Sequence, residues 1–184
     1  MSKINGWLFV DKQVGITSRK IVDIISRSIK QKKVGHAGTL DPMASGLLAV
    51  AIGEATKTVF LIQNTKKIYE FKVRWGISTS TDDVEGQIIS QSPIRPTKKE
   101  ILSLIPKFIG DIEQRPPIYS AIKINGIRSY KIARQNKKVS HKLRSIIVSD
   151  LKLKKYIDED HSIFEITCSK GTYVRSIARD LGKT

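Results

Sequence analysis

Apolar residues recur along the chain in two spacings, one typical of strands and the other of helices. The strictest alternation runs from Tyr69 to Trp75, where aromatic and apolar side chains at every second position are separated by charged ones, and this predicts a half-buried strand. Short apolar or alternating runs predict further strands at 7–10, 47–52, 121–124, 145–156 and 162–168. Helical spacing and capping residues predict helices after Thr17 or Ser18, at 55–62, after Thr97, at 129–135 and after Thr172. Helices interleaved with hairpins predict an α+β fold with a mixed, largely antiparallel curved sheet flanked by helices.

Three further segments carry expectations about exposure. The polar, acidic stretch 78–85 is predicted to be a loop, and 114–119, with its adjacent prolines, is predicted to be extended and exposed. The last helix has an apolar face of Val174, Ile177, Ala178 and Leu181, which we expect to lack cover because the chain stops at Thr184.

The glycine-rich stretch 34–46 holds the candidate for chemistry. Its glycines allow tight turns and close approach of a ligand, and Pro42 restricts the backbone of the residue before it. Asp41 is therefore predicted to lie on a rigid, extended corner. A purely structural turn is the alternative, because Asp-Pro and glycine are common in ordinary loops.

Charge indicates a polyanionic partner. The chain has 33 Lys and Arg against 17 Asp and Glu, a net charge of +16, and the segment 123–155 contains eleven basic residues and a single acid, Asp150. This density predicts a surface that follows a nucleic-acid backbone, although a generally lysine-rich surface is the alternative. Cys168 is the only cysteine and the three histidines are scattered, so neither a disulfide nor a metal site is predicted. No signal peptide or membrane span is indicated, and we expect a cytoplasmic protein.

Several motifs together resemble one family. Residues 35–48 read GHAGTLDPMASGLL and are similar to the G-x-x-G-x-L-D-P-x-A-x-G-[LV]-L signature of the TruB family of tRNA pseudouridine synthases. The other matching stretches follow in family order: Asp11-Lys12-x-x-Gly15-x-Thr17-Ser18, Lys67–Phe71, Asp83-x-x-Gly86, the run from Pro116 to Tyr130, and Gly171–Ser176. This resemblance implies a pseudouridine synthase catalytic domain over 1–184, incomplete at its C-terminus and without the family's PUA domain.

The resemblance also implies a reaction and the residues that perform it. The reaction is isomerisation of uridine to pseudouridine at position 55 in the T-loop of tRNA, on an extruded nucleotide and without a cofactor. Asp41 would be the catalytic nucleophile, Tyr69 would stack on the uracil with its hydroxyl near the sugar, and Arg175 would pair with Asp41. His36, Tyr173, Lys12 and Asp83 would contact or support the RNA site. The expected partner is the T-arm of tRNA, with the protein a monomer that needs no protein partner.

Two other functions remain open at this stage. One is an RNA-binding or RNA-chaperone fragment of the same fold that grips the T-arm without isomerising it. The other is a phosphotransferase with Asp41 as nucleophile, which is disfavoured because no second acid and no phosphate-cradling Gly-x-x-x-x-Gly-Lys stretch accompanies it.

Overall fold

The computed structural model describes residues 3–135 and 137–184. The chain divides into two compact units, Met1–Thr65 and Lys66–Thr184. Both contain helices and antiparallel sheets, so the predicted α+β class is confirmed. The prediction of one catalytic domain over the whole chain stays a prediction.

The first unit is built on a three-stranded antiparallel sheet. Its strands are β1 (Gly6–Lys12), β2 (Val34–His36) and β3 (Gly46–Ile52), in the order β1-β3-β2. Helix α1 (Ser18–Ser28) connects β1 to β2, and a 3-10 helix (Gly53–Thr58) followed by α2 (Val59–Gln63) comes after β3. The predicted cap of α1 is confirmed: the Thr17 hydroxyl accepts a hydrogen bond from the N–H of Lys20, which satisfies a free donor of the first turn. Val22 of α1 packs on Leu48 and Val50 of β3, which fixes the helix on the sheet.

The second unit contains the remaining elements. In chain order they are β4 (Lys67–Arg74), β5 (Ile77–Thr79), β6 (Ile88–Gln91), α3 (Lys98–Leu104), a 3-10 helix (Ile105–Phe108), β7 (Gly110–Gln114), β8 (Lys123–Ile124), β9 (Ile127–Arg128), α4 (Ser129–Ala133), β10 (Arg144–Tyr156), β11 (His161–Cys168) and α5 (Val174–Leu181). A four-stranded antiparallel sheet, β4-β11-β10-β7, forms its centre, while β5-β6 and β8-β9 are separate hairpins.

The core of the second unit lies on one face of this sheet. Along β11 buried side chains alternate with partly exposed ones, and Phe164, which is buried, stacks on Phe71 and meets Trp75 edge-on. The predicted alternation of β4 is confirmed, since Val73 is buried while its neighbours Lys72 and Arg74 are exposed. Trp75 also donates its indole N–H to the Ser162 hydroxyl, so the one polar atom of this buried ring has a partner.

Two of the expectations about exposure are wrong in part or whole. The stretch 78–85 is not entirely a loop, because Ser78 and Thr79 belong to β5, which pairs with β6. In the segment 114–119, Gln114, Pro116 and Pro117 are buried rather than exposed. The Gln114 side-chain amide donates to the carbonyl of Tyr173 and accepts from its N–H, so both polar atoms of the buried amide have partners.

The last helix also differs from expectation. Its N-cap is Tyr173 and not Thr172, whose hydroxyl instead donates to the carbonyl of Ser169. Ile177 and Leu181 are nearly inaccessible and belong to the core of the second unit, with Val174 and Ala178 packed against it. The apolar face of α5 is therefore covered by the unit's own sheet, and the expectation that it lacks cover is wrong.

Within residues 3–135 and 137–184, no helix combines the length and the apolar character that a bilayer crossing requires.

Candidate functional site

Asp41 lies in the connection between β2 and β3, where the glycine-rich stretch was predicted to form a rigid corner. Its carbonyl accepts a hydrogen bond from the N–H of Ala44 at 3.1 Å, which closes a turn over Pro42 and Met43. The Asp41 side chain is half-buried. Residues on both sides of Asp41 are bonded to the segment that joins β1 to α1, so the carboxylate is carried by a backbone held at two points.

Lys12 forms the first of these attachments. This lysine at the end of β1 has no exposed surface, and its ammonium donates to the carbonyls of Ile16 (2.8 Å), Gln13 (2.9 Å) and Pro42 (3.3 Å). Burial lowers the pKa of Lys12, and the negative charge of Asp41 opposes that shift. Lys12 is thus a buried ammonium group that holds the Asp41 loop through the carbonyl of Pro42.

Ser18 and Gly15 form the second attachment. The Ser18 hydroxyl accepts from the N–H of Leu40 at 3.0 Å and donates to the Leu40 carbonyl at 3.1 Å. The N–H of Gly15, whose φ is +85°, donates to the Pro42 carbonyl at 2.8 Å. This role of Ser18, which was expected only as a possible helix cap, was not predicted. The signal was present in the spacing Asp11-Lys12-x-x-Gly15-x-Thr17-Ser18, of which Lys12, Gly15 and Ser18 bond the loop.

His36, the other site residue predicted in this stretch, ends β2. It pairs with Val50 across the sheet and is half-buried. The next residue, Ala37, still donates its N–H to the carbonyl of Ala49 on β3, so the loop leaves the sheet after Ala37. Within the first unit, Lys12 and His36 end the two edge strands, β1 and β2, on either side of β3, and Asp41 lies in the connection from β2 to β3.

Arg175, on the first turn of α5, is one of the predicted site residues in the second unit. Its guanidinium donates to the carbonyls of Thr81 (2.8 Å) and Tyr119 (3.0 Å) and lies 3.3 Å from a carboxylate oxygen of Asp83. Both charged side chains are largely buried, with 11% and 6% of their surface exposed. Asp83 also accepts hydrogen bonds from the Thr81 hydroxyl and the N–H of Glu85, and so stabilises the loop between β5 and β6. Its contact with RNA, and the pairing of Arg175 with Asp41, stay predictions.

Arg179 follows Arg175 by one helical turn and binds the same loop. Its guanidinium bonds the carboxylates of Asp82 (2.9 Å) and Asp180 (2.8 Å) and the carbonyl of Arg115 (2.8 Å). Asp82 has a φ of +58°, which a residue other than glycine rarely adopts. Burial raises the pKa of Asp82, and the charge of Arg179 opposes this. The sequence analysis did not identify the Asp82–Arg179 pair.

Tyr69 and Tyr173, the two predicted aromatic contacts, lie on and beside the sheet of the second unit. Tyr69 lies on β4 opposite Ile166 of β11 and packs against the core, half-buried. Tyr173 precedes α5, and its backbone N–H and carbonyl are both bonded to the Gln114 side chain, at 2.8 and 3.1 Å. Gln114 is a residue that the sequence analysis missed, because the segment that contains it was predicted to be exposed.

A groove follows the basic segment, defined here as Lys137–Lys142. Two neighbouring cavities of about 430 and 600 Å³ share Ser80, Ile89, Ile118, Val139 and Ser140 in their walls. Lys137 and Lys138 line the larger cavity, while Arg115, Arg179 and Lys183 line the smaller one together with the acids Asp82, Glu113 and Asp180. An apolar floor bordered by cations suits a nucleotide, whose base is flat and apolar on its faces and whose phosphate is anionic.

In the part of the chain that the structure describes, no three His, Cys, Asp or Glu side chains are grouped closely enough to hold an ion.

The fold and the loop together define an α+β protein that carries a carboxylate on a rigid glycine-rich connection. Residues 26–174 match the family described as "TruB family pseudouridylate synthase (N terminal domain)". The chain therefore belongs to the TruB family, as its motifs indicate.

Individual relatives agree with this assignment. The chain is 52% identical over 179 residues to the tRNA pseudouridine synthase B of Roseobacter denitrificans, covering 97% of this chain and 59% of that protein. It is 51% identical to the tRNA pseudouridine synthase B of Bartonella henselae, covering 98% and 56%. Among solved structures, a chain of a Cbf5-Nop10-Gar1 complex superposes with a TM-score of 0.71 at 28% identity, covering 97% of this chain and 44% of that one. The chain thus spans a little over half the length of the curated relatives it matches.

Proposed function

We propose that this chain carries the catalytic aspartate of a tRNA pseudouridine(55) synthase, an isomerase that acts on the T-loop uridine. The observation that carries the proposal is the fixed position of Asp41, whose loop is held at Leu40 by Ser18 and at Pro42 by Lys12 and Gly15. A nucleophile gains most from such fixing, because its approach to the reacting atom is then set before the substrate binds. Relatives named tRNA pseudouridine synthase B support the reaction class.

The reaction needs one nucleophile and no cofactor. Asp41 bonds to the extruded nucleotide as the bond between C1′ and N1 breaks; the uracil rotates; C5 then bonds to C1′ as Asp41 leaves. The proton on C5 departs and N1 gains one, so atoms and electrons balance without an oxidant. In this scheme Tyr69 stacks on the uracil and presents its hydroxyl to the sugar, while Arg175 keeps the Asp41 carboxylate ionised and oriented.

RNA binding is assigned to the groove and the basic segment. Lys137, Lys138 and Lys142 would contact phosphates. His36 would lie near the displaced T-loop bases and Tyr173 would contact the target nucleotide, while Lys12 would support the Asp41 loop and Asp83 would contact the RNA. The expected partner is the T-arm of tRNA. A monomeric state and a cytoplasmic location stay predictions.

The test is release of tritium from C5-labelled uridine in a tRNA transcript, measured in single turnover. We expect release by the wild-type chain, and none above background by Asp41→Asn or Asp41→Ala, while tRNA affinity stays within a few-fold because a carboxylate facing RNA contributes little to binding. Asp11→Asn, a neighbouring acid outside the loop, is the matched control and should keep the rate. Binding of tRNA without release by the wild-type chain would favour the RNA-binding alternative, and near-normal release by Asp41→Ala would remove Asp41 from the mechanism.

A further inference from the structure

His141 has a buried position that neither the predicted chemistry nor the family assignment explains. It belongs to the basic segment, whose three lysines Lys137, Lys138 and Lys142 are exposed, yet only 6% of its own surface is accessible. Its ring therefore turns inward while the cations on either side turn outward. Its backbone is held too, since the Arg115 guanidinium donates to the His141 carbonyl at 2.8 Å.

The His141 ring contacts the hydroxyl groups of two serines. Nε2 of His141 lies 2.9 Å from the hydroxyl of Ser129, the first residue of α4, and 3.4 Å from the hydroxyl of Ser120. Both serines are nearly inaccessible. This contact joins the basic segment to the turn and hairpin that lie before α4, across 12 and 21 residues of chain.

The hydrogen-bond pattern fixes which imidazole nitrogen carries the proton. Ser129 has a single hydroxyl hydrogen, and it is donated to the carbonyl of Ile118. The Ser129 oxygen must then accept from His141, which requires a hydrogen on Nε2. The contact works in the neutral Nε2–H form of the ring, and it needs no second proton.

We propose that His141 is a positioning residue for RNA binding: its Nε2–H bond to Ser129 fastens the basic segment to the start of α4 and so presents its lysines to the nucleic-acid backbone. The inference rests on the proposed RNA-binding function, because the segment needs a fixed arrangement only if its cations have a ligand to meet. An unfastened segment would still carry the lysines, but it would have to be ordered again on each binding event, and affinity would fall.

Amide substitutions separate the hydrogen bond from the bulk of the ring. In His141→Gln the side-chain amide N–H can take the place of Nε2–H, whereas in His141→Asn the shorter amide cannot reach Ser129. Limited trypsin digestion of the full chain, followed by mass spectrometry, reports cleavage after Lys137, Lys138 and Lys142, with cleavage after Lys30 of the first unit as the internal reference. We expect cleavage in the segment to rise about fivefold to tenfold in His141→Asn and to stay near wild type in His141→Gln, because proteolysis follows the population of the open form.

Two further variants test the partner and the specificity of the effect. Ser129→Ala should raise cleavage as His141→Asn does, and the double variant should add little, since both remove the same bond. His161→Asn is the matched control: His161 lies on β11 and bonds Asp158, and its loss should leave cleavage in the segment unchanged. Equal cleavage in wild type and His141→Asn would overturn the fastening.

Binding to a fluorescent T-arm stem-loop completes the test. We expect affinity to fall several-fold in His141→Asn, to recover in His141→Gln, and the bound single-turnover rate to change little in either. Nitrogen-15 spectra of the imidazole should show the hydrogen on Nε2; a hydrogen on Nδ1 would overturn the assigned bond. If cleavage rises in His141→Asn but affinity does not fall, the fastening stands and the RNA role proposed for the basic segment fails.

Discussion

Lys12 combines two properties that rarely coexist, an ionisable ammonium group and no exposed surface. It is tolerated because its ammonium has three carbonyl acceptors, one of which belongs to Pro42 in the Asp41 loop. The loop depends on that cation in turn, since without it the Pro42 carbonyl keeps only the donor from Gly15 and the Ile16 carbonyl loses the ammonium as a donor.

Replacing Lys12 by Met tests this dependence while preserving side-chain length. We expect Lys12→Met to lower the free energy of unfolding by about 1–3 kcal/mol, and to slow tritium release by more than its loss of stability explains, because Asp41 is no longer held in place. Chemical denaturation and single-turnover rates at saturating tRNA measure the two effects. Lys20→Met, at an exposed position of α1, is the control. A Lys12→Met protein with wild-type stability and rate would show that Asp41 is positioned by other contacts.

At this scale, the local geometry of a loop was easier to predict than its supports. The rigid connection that carries Asp41 could be predicted because its glycines and Pro42 act on their own stretch of chain. Gln114 and Ser18 could not, since their partners Tyr173 and Leu40 lie 59 and 22 residues away and nothing local indicates the pairing. Buried polar residues of this kind look like ordinary surface residues until the fold brings their partners to them.

The loop between β5 and β6 is held in place by side chains of a single helix, α5. Arg175 and Arg179 leave α5 on the same face, four residues apart, and bind Asp83 and Asp82 in turn. Asp82, which has a left-handed backbone conformation, accepts a hydrogen bond from the Arg179 guanidinium through its carboxylate.

A double-mutant cycle measures what the Asp82–Arg179 pair contributes. Both side chains are mostly buried, so we expect Asp82→Asn and Arg179→Met to show a coupling free energy of about 1–3 kcal/mol in denaturant unfolding. The exposed pair Arg19–Asp23 on α1 is the control and should give below about 0.5 kcal/mol. Coupling of the same size in both pairs would mean that the Asp82–Arg179 pair contributes no more than an exposed ion pair, and that Arg179 stabilises the unit mainly through its bonds to Arg115 and Asp180.

The attachment of the basic segment should depend on pH through His141. Burial, and to a smaller extent the charge of Arg144, lower the pKa of His141, while in the detached segment it returns toward about 6.5. The detached form therefore binds the proton more readily, so attachment is at full strength above about pH 6.5 and weakens as the pH falls below it. The charged groups around His141 are Arg115 at its carbonyl, Arg144, and the cavity residues Asp82, Glu113, Arg179, Asp180 and Lys183.

We accordingly expect trypsin cleavage within the basic segment, corrected for the enzyme's own pH dependence by the Lys30 site, to rise between pH 7.5 and 5.5. His141→Gln, which cannot titrate, should remove the rise. A rise of the same size in His141→Gln would assign the pH dependence to one of the cavity acids.

Elements with a strong local signal were predicted well, and those defined by distant pairing were not. The alternation of β4, the Thr17 cap of α1 and the capping box at Thr97 and Glu100 are all present. By contrast β7 was missed, because its five residues include two acids and a glycine and become a strand only by pairing with β10. The cover of α5 was mispredicted for the same reason: its apolar face meets residues that are neighbours only in the folded unit.

For the molecule as a whole, charge sets the expected response to salt. A net charge of +16 favours any polyanion, so affinity alone says little about where RNA lies. The slope of log affinity against log salt is more informative, since each phosphate contact contributes roughly −0.7 to −0.9.

Replacing Lys137, Lys138 and Lys142 by Ala should make this slope shallower by roughly 2 to 3, and should weaken binding to different RNAs alike. The matched control replaces Lys98, Lys99 and Lys107, three exposed lysines on and after α3, and removes the same charge. Fluorescence titrations at four or five salt concentrations give the slopes. If the two triple variants lose slope equally, the effect is one of net charge, and the phosphate contacts are not concentrated in the basic segment.

The division of the chain at Thr65 separates its two tryptophans, Trp7 on β1 and Trp75 after β4. Each compact unit thus contains its own intrinsic fluorophore, one partly accessible and the other 4% exposed against Phe164. Trp75→Phe leaves emission from the first unit alone, and Trp7→Phe leaves emission from the second. Unfolding curves of the two variants can therefore show whether the unit that carries Asp41 melts together with the unit that carries the basic segment, without any added label.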